Sequence, residues 1–263
     1  MLCLSDVSVT FGIGTPLAKQ ALNDLNLEIF AGEFVTVIGS NGAGKSTLLD
    51  VISGDLRPDR GRITIDGQPV THQSAAQRAR QVSRVFQNPL AGSCAELTIE
   101  ENLALALRRG KPRGLRPALN GRIRDQFRSR LASLGLGLED RLCDRMGLLS
   151  GGQRQVVSLV MSTLAPTKIL LLDEHTAALD PKTAAYTLEL TQQLIAEQHL
   201  TALMVTHSMQ QALDYGDRTL MLHAGQIVLD IAGTERSHLH VSDLLDRFAD
   251  QAQQISDDSL LLG

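Results

Sequence analysis

Tryptophan is absent from the chain and tyrosine occurs twice, so aromatic residues make up only 3% of its 263 positions. A surface that stacks single-stranded nucleic acid needs exposed rings, and so low an aromatic content weighs against one. Cysteine is scarce as well: Cys3, Cys94 and Cys143 are odd in number, far apart and free of any C-x-x-C pairing. That spacing suits neither a disulfide framework nor a zinc site, and the expectation is a reducing compartment with the thiols buried. No apolar run approaches the ~20 residues needed to span a bilayer. The first eleven residues carry Asp6 and lack the basic leader and long apolar stretch of a secretory signal. If the protein serves a membrane, another chain must cross it. A net charge of -4, from 25 basic and 29 acidic residues, names no partner, while a hydrophobic fraction of 43% suits a globular chain with a substantial core.

Residues 2–11 alternate, residues 21–30 do so loosely, and Phe34-Val35-Thr36-Val37-Ile38 is a compact β-rich run. Glycines then crowd residues 39–44, and residues 46–52 read as a helix that stops near Gly54. Strand, glycine loop and helix form one half of an α/β nucleotide fold. Residues 61–66 and 82–86 suit further strands, after which the pattern turns helical: Thr98 with Glu101 makes a capping box, and helices follow over residues 122–134 and 153–164 up to Pro166. Apolar strands return at residues 169–172 and 202–205, a pattern of parallel strands covered on both faces. Between them Asp180-Pro181 supplies an N-cap and an N1 proline for a helix reaching Glu197. Residues 218–223 and 226–230 flank Ala224-Gly225 as a hairpin, and the tail beyond Arg247 reads as polar and frayed. The expectation is a single domain, with a core lobe over residues 1–87 and 166–263 and a helical lobe over residues 88–165.

Three strings carry chemistry. Gly39-Ser40-Asn41-Gly42-Ala43-Gly44-Lys45-Ser46 matches G-x-x-x-x-G-K-[ST] between a strand and a helix, and Thr47 continues that helix. Its glycines let backbone N–H groups face a phosphate at a helix N-terminus, Lys45 adds a charge for the β- and γ-phosphates, and the Ser46 hydroxyl can ligate Mg²⁺. Asp173-Glu174 ends a buried apolar strand, at the ligand-binding edge of a parallel sheet. Asp173 would hold Mg²⁺ through water, and Glu174 would act on the attacking water as general base. Leu149-Ser150-Gly151-Gly152-Gln153 opens a helix.

Taken in order with Gln87, Ala178-Leu179-Asp180 and His207, these strings resemble the ATP-binding cassette family over essentially the whole length. The resemblance implies an α/β P-loop (RecA-like) core with an antiparallel β subdomain and an inserted α-helical signature subdomain. It implies an ATP hydrolase that uses ATP and Mg²⁺ and drives uptake through a permease from the inner face of the cell membrane. The implied partners are that permease, a head-to-tail second copy of the chain and an extracytoplasmic substrate-binding protein, with no nucleic acid. An export role, or a soluble non-transport cassette, remains the alternative. By the same resemblance Gln87 touches Mg²⁺ and water, His207 holds the γ-phosphate and Glu174 in register, Ser150, Gly151, Gly152 and Gln153 form the signature that completes the partner's site, and Asp180 is the D-loop acid. Phe11 resembles the aromatic that stacks on adenine, although residues 12–20 stand as an insertion after it; its blander, lesser reading is a core Phe on a strand. His175 stands where the family often has proline, and no second ligand near it suggests a metal. The stretch Thr98-Ile99-Glu100-Glu101-Asn102-Leu103-Ala104 and the string from Asp173 to Ala184 resemble a subgroup labelled for tryptophan or tyrosine.

Nine of the 25 basic residues fall within residues 108–130, beside one acid, Asp125. Three readings stay open for this segregation: a solvated helix face, a surface for anionic lipid, and nucleic-acid contact, which the acidic remainder disfavours.

Overall fold

The computed structural model describes residues 1–111 and 117–247. Two of the nine basic residues, Arg113 and Arg116, and the tail expected to fray lie outside the described residues. The chain divides into two compact units: Met1–Ala75 with the chain from Gln198 onward, and Ala76–Glu197. Residues 76–87 and 166–197 thus belong with the helices around the signature, because β6 and β7 below pair with each other inside the second unit.

The first unit begins with β1 (Leu2–Phe11), β2 (Lys19–Ile29), β3 (Phe34–Gly39), α1 (Lys45–Ser53), β4 (Arg60–Ile65) and β5 (Gln68–Pro69). Strand β1 pairs antiparallel with β2 and with β4, giving the order β2-β1-β4-β5. Alternation along β1 and β2 buries Leu2, Leu4, Val7, Leu22, Leu25, Leu27 and Ile29 on one face, each stabilising by about 1.5–3 kcal/mol. Gly54 ends α1 in the left-handed region, φ 84°, where a residue without Cβ is unstrained. A short helix, α2 (Ala75–Arg78), lies at the boundary.

In the second unit β6 (Val82–Val85) is followed by α3 (Ile99–Leu107), α4 (Gly121–Ala132), α5 (Gly151–Leu164), β7 (Ile169–Asp173) and α6 (Pro181–Gln198). β6 and β7 pair in parallel, Val82 opposite Ile169 through Val85 opposite Leu172. The capping box at the head of α3 forms as the sequence dictates: Thr98 accepts from the Glu101 N–H and donates to its carboxylate. The Thr98 backbone N–H, with its hydroxyl second, donates to the Glu101 carboxylate and holds it below its ordinary pKa. The chain then returns to the first unit as β8 (Thr201–Val205), α7 (Met209–Asp214), β9 (Arg218–His223), β10 (Gln226–Ala232) and α8 (Gly233–Ser237). Here β3 pairs in parallel with β8 and β9, and β9 turns into antiparallel β10 through Ala224 (φ 46°) and Gly225 (φ 80°). Two successive left-handed residues suit the twist of a two-residue hairpin.

One expectation needs correction, and one open reading is narrowed. The thiols are not buried: Cys94 and Cys143 are exposed and Cys3 is half-buried. Cys94 sits in the connection from β6 to α3 and Cys143 in that from α4 to α5, and Cys94 is held by its backbone, whose N–H and carbonyl both bond to the Asn102 amide. The basic run is not one solvated face either. Arg109 turns inward to the Ser162 and Ala165 carbonyls, and burial pushes its pKa down. Arg124 clamps buried Glu100 with two bonds, at 2.7 and 3.0 Å. Arg122 and Arg128 face solvent.

Candidate functional site

In the first unit the glycine loop lies between β3 and α1, and its glycines stand where side chains will not fit. A Cβ on Gly39 would strike the Leu222 carbonyl, and one on Gly44 (φ 105°) would strike the Ala21 carbonyl. The β9–β10 turn braces the loop: Gly225 N–H donates to Ala43 O at 3.0 Å, and Asn23 N–H donates to Gly225 O at 3.0 Å. Lys45, 6% exposed, folds over the loop and donates to Gly39 O at 2.8 Å and Ser40 O at 3.0 Å. Ser40, Asn41, Gly42 and Ser46 are exposed, Thr47 is half-buried and Ala43 is buried. Exposed backbone at the N-terminus of α1, a buried cation and a hydroxyl make a phosphate seat. Phe11 is 47% exposed at the end of β1, paired with Lys19, so the core reading of this ring fails. His207 is exposed two residues beyond β8, where Thr206 N–H bonds Val37 O.

In the second unit Asp173 ends β7 and Glu174 begins the turn after it. Glu174 has φ 45°, a left-handed conformation uncommon for a residue with a side chain, and its carbonyl accepts from Ala177 N–H. Arg84 on β6 donates to Asp173 Oδ2 at 2.6 Å, with both side chains nearly buried, and its guanidinium lies 4.8 Å from the Phe86 ring centroid. That ion pair fixes one carboxylate oxygen. Removing one partner of such a pair costs ~3–5 kcal/mol. Gln87 is exposed just beyond β6, where buried Gln155 of α5 donates to Phe86 O at 3.1 Å. The loop of Gln87 is thereby tied to the signature helix.

Ser150 caps α5. Its oxygen accepts from Gln153 N–H while the Gln153 amide oxygen accepts from Ser150 N–H, both at 3.2 Å. The helix therefore starts at Gly151, two residues earlier than its apolar pattern, and Gln153 is engaged in the cap. Arg154 staples the preceding turn through the carbonyls of Met146, Gly147 and Leu149. Gly151 is open to solvent, whereas a Cβ on Gly152 would collide with Thr183 of α6. Asp180 Oδ1 accepts from Thr183 N–H as the expected cap, and its bonds to Thr183 lower its pKa. The glycine loop, Phe11 and His207 thus share the first unit, and Asp173, Glu174, Gln87, the signature and Asp180 share the second.

The ABC transporter family model matches residues 22–177, from the second strand through the acid pair. The chain belongs to the ABC transporter family. It is an ABC ATPase that is 44% identical to a tyrosine transport ATP-binding protein of Clostridioides difficile, over 94% of this chain and 98% of that one. It is also 35% identical to an energy-coupling factor transporter ATP-binding protein of Acetivibrio thermocellus, over 92% of this chain and 83% of that one. Among solved structures, a dimeric ATP-binding cassette in a post-hydrolysis state bound to ADP and Pi superposes with a TM-score of 0.76 at 30% identity, covering 88% of this chain and 98% of that one.

One buried group of the cassette was assigned no role by its sequence. His175, 2% exposed, shares a 3.0 Å hydrogen bond with Thr191 of α6. Thr191 donates in turn to Thr187 O. The imidazole thereby pins the turn that follows strained Glu174. Burial lowers its pKa from 6.5 to about 4. Above pH 6.5 the ring is neutral whether the chain is folded or not. Between pH 6.5 and 4 the unfolded chain takes up a proton that the folded chain refuses, so stability falls as the pH drops. By pH 5 the loss should be roughly 2 kcal/mol. Urea unfolding at pH 7 and pH 5 measures it, and His175→Gln should remove that share of the slope.

Proposed function

We propose that this ATPase binds and hydrolyses MgATP to power solute uptake through a separate membrane permease, with amino acids as the cargo class. Among the described residues no helix is long and apolar enough to cross a membrane, which fits a division of labour between an ATPase and a spanning chain. The cargo class rests on the tyrosine-labelled relative, since the ATPase itself has no reason to touch cargo. The inner face of the cell membrane is the place where such a subunit meets both ATP and its permease, and an extracytoplasmic binding protein would deliver the solute.

The observation that carries the reading is that the chain holds, each within its own unit, an intact phosphate loop ahead of α1 and Asp173-Glu174 at the end of β7. Ser46, Gln87 and Asp173 offer hydroxyl, amide and carboxylate oxygens, a hard donor set suited to Mg²⁺ and unsuited to softer metals. Ser46, Gln87 and Asp173 would hold Mg²⁺, which would supply positive charge to offset that of the phosphates. Lys45 and the loop N–H groups orient the phosphates, Glu174 takes a proton from the attacking water, and His207 holds the γ-phosphate. Ser150, at the N-terminus of α5, would seat the γ-phosphate bound by a second copy. One hydroxyl and a helix end make chemical sense there only when the remaining donors come from elsewhere.

Purification of the tagged protein from membranes under mild detergent tests the assignment. A co-purifying integral membrane permease is the expected result, and ribosomal proteins or DNA in its place would sink the uptake reading.

A further inference from the structure

We infer that Lys19 is a second phosphate-binding cation of this nucleotide site, held against the tip of the glycine loop by the insertion after Phe11. The inference rests on the proposed nucleotide site and adds to it a residue that the motif does not contain.

The geometry lies wholly within the first unit. Lys19 opens β2 and pairs across the hairpin with Phe11, the last residue of β1. Residues 12–18 between them form a closed turn, in which the Thr15 hydroxyl donates to Gly12 O at 2.7 Å and Ala18 N–H donates to Thr15 O at 3.1 Å. This turn returns the chain so that Lys19 stands two residues before Ala21, whose carbonyl packs against Gly44 and Gly225. The strand that supports the base of the loop therefore also delivers the lysine. Its ammonium reaches the loop itself: a Cβ placed on Gly42 would lie 3.0 Å from Lys19 Nζ.

Charge turns this proximity into an inference. Lys45, the N-terminal end of α1 and Lys19 bring positive charge to one loop. Among the described residues the Lys19 ammonium has no carboxylate or hydrogen-bond partner, whereas Lys45 is engaged by the loop carbonyls. Packing a second ammonium beside an anion-binding loop is unfavourable for the protein alone and favourable with a polyphosphate in place. The cross-strand pair of Phe11 and Lys19 then presents a ring and a cation side by side, matching an adenine and a phosphate chain. Lys45 is fixed deep in the loop and serves the reacting end. Lys19 sits at the exposed tip and contributes to holding the nucleotide, with little change between ground and transition states. That is uniform binding, which alters KM and leaves kcat.

The test compares wild type with Lys19→Met, Lys19→Gln and Lys19→Arg in calorimetric titrations with MgADP and AMP, alongside steady-state hydrolysis. Lys19→Met should weaken MgADP binding and raise KM for MgATP by about tenfold, the effect of one charge-assisted contact, with kcat within about twofold. AMP, which lacks the β-phosphate, should lose less. Lys19→Arg should recover most of the affinity, and the salt dependence of MgADP binding should flatten in Lys19→Met. Comparing Lys19→Gln with Lys19→Arg reads charge even if the methionine variant is unstable. MgADP affinity within twofold of wild type in both uncharged variants would overturn the inference. A wild-type protein that failed to bind MgADP would instead overturn the nucleotide site.

Discussion

Glu174→Gln should slow ATP hydrolysis by roughly 10²–10⁴-fold, the usual contribution of a positioned general base, while MgATP affinity stays within about threefold. The amide keeps the volume and can still bond a water molecule, but it cannot accept the proton. The backbone matters as much as the carboxylate. Glu174 is held at φ 45° by the turn it shares with Ala177 and by the His175–Thr191 bond behind it. Gln is the appropriate replacement because it changes the chemistry and leaves that conformation in place. Phosphate release beside equilibrium binding measures the two effects separately, and turnover near that of wild type would remove Glu174 from its role.

The second large effect concerns the two half-sites. Lys45→Ala should abolish hydrolysis, by at least a hundredfold, and weaken MgATP binding, because it deletes the buried cation that spans the Gly39 and Ser40 carbonyls. Ser150→Arg should also abolish hydrolysis yet leave MgATP binding to its own loop within about twofold. Arg at that position loses the cap on Gln153 N–H, worth about 1 kcal/mol, and fills the end of α5 with a bulky cation. Because Ser150 is exposed, the core beneath α5 is not disturbed. Loss of binding in both variants alike would show that Ser150 acts on its own loop or through folding.

Much of this site is legible in the sequence because its parts are local. A glycine loop, a capped helix and an acid pair each depend on a few neighbouring residues, and the bonds at Thr98, Ser150 and Asp180 form where spacing places them. What escaped the sequence depends on contacts between distant segments. Arg84 reads as a polar residue in a short strand until its partner Asp173 appears 89 positions later. His175 looks like a loop residue until α6 folds back to bring Thr191 against it, and Gln155 declares itself only through the Phe86 carbonyl. The basic run misleads for the same reason. Composition counts Arg109 and Arg124 with their neighbours, while packing assigns them to buried carbonyls and to Glu100. Element edges moved wherever a side-chain cap or a cross-strand partner extended a segment past its apolar pattern, as at Gly151 and Lys19.

The central claim is that each catalytic site is built from the glycine loop of one copy and the signature of another. Differently tagged Lys45→Ala and Ser150→Arg copies, joined into mixed dimers and isolated by both tags, test it most directly. One site of such a dimer pairs the Ser150→Arg copy's intact loop with the Lys45→Ala copy's intact signature and carries neither lesion. The opposite site carries both. The account predicts that isolated mixed dimers retain about half the MgATP per dimer that wild type retains and recover measurable hydrolysis, whereas neither parent homodimer hydrolyses. Isolated mixed dimers that remain as inactive as both parents would contradict it.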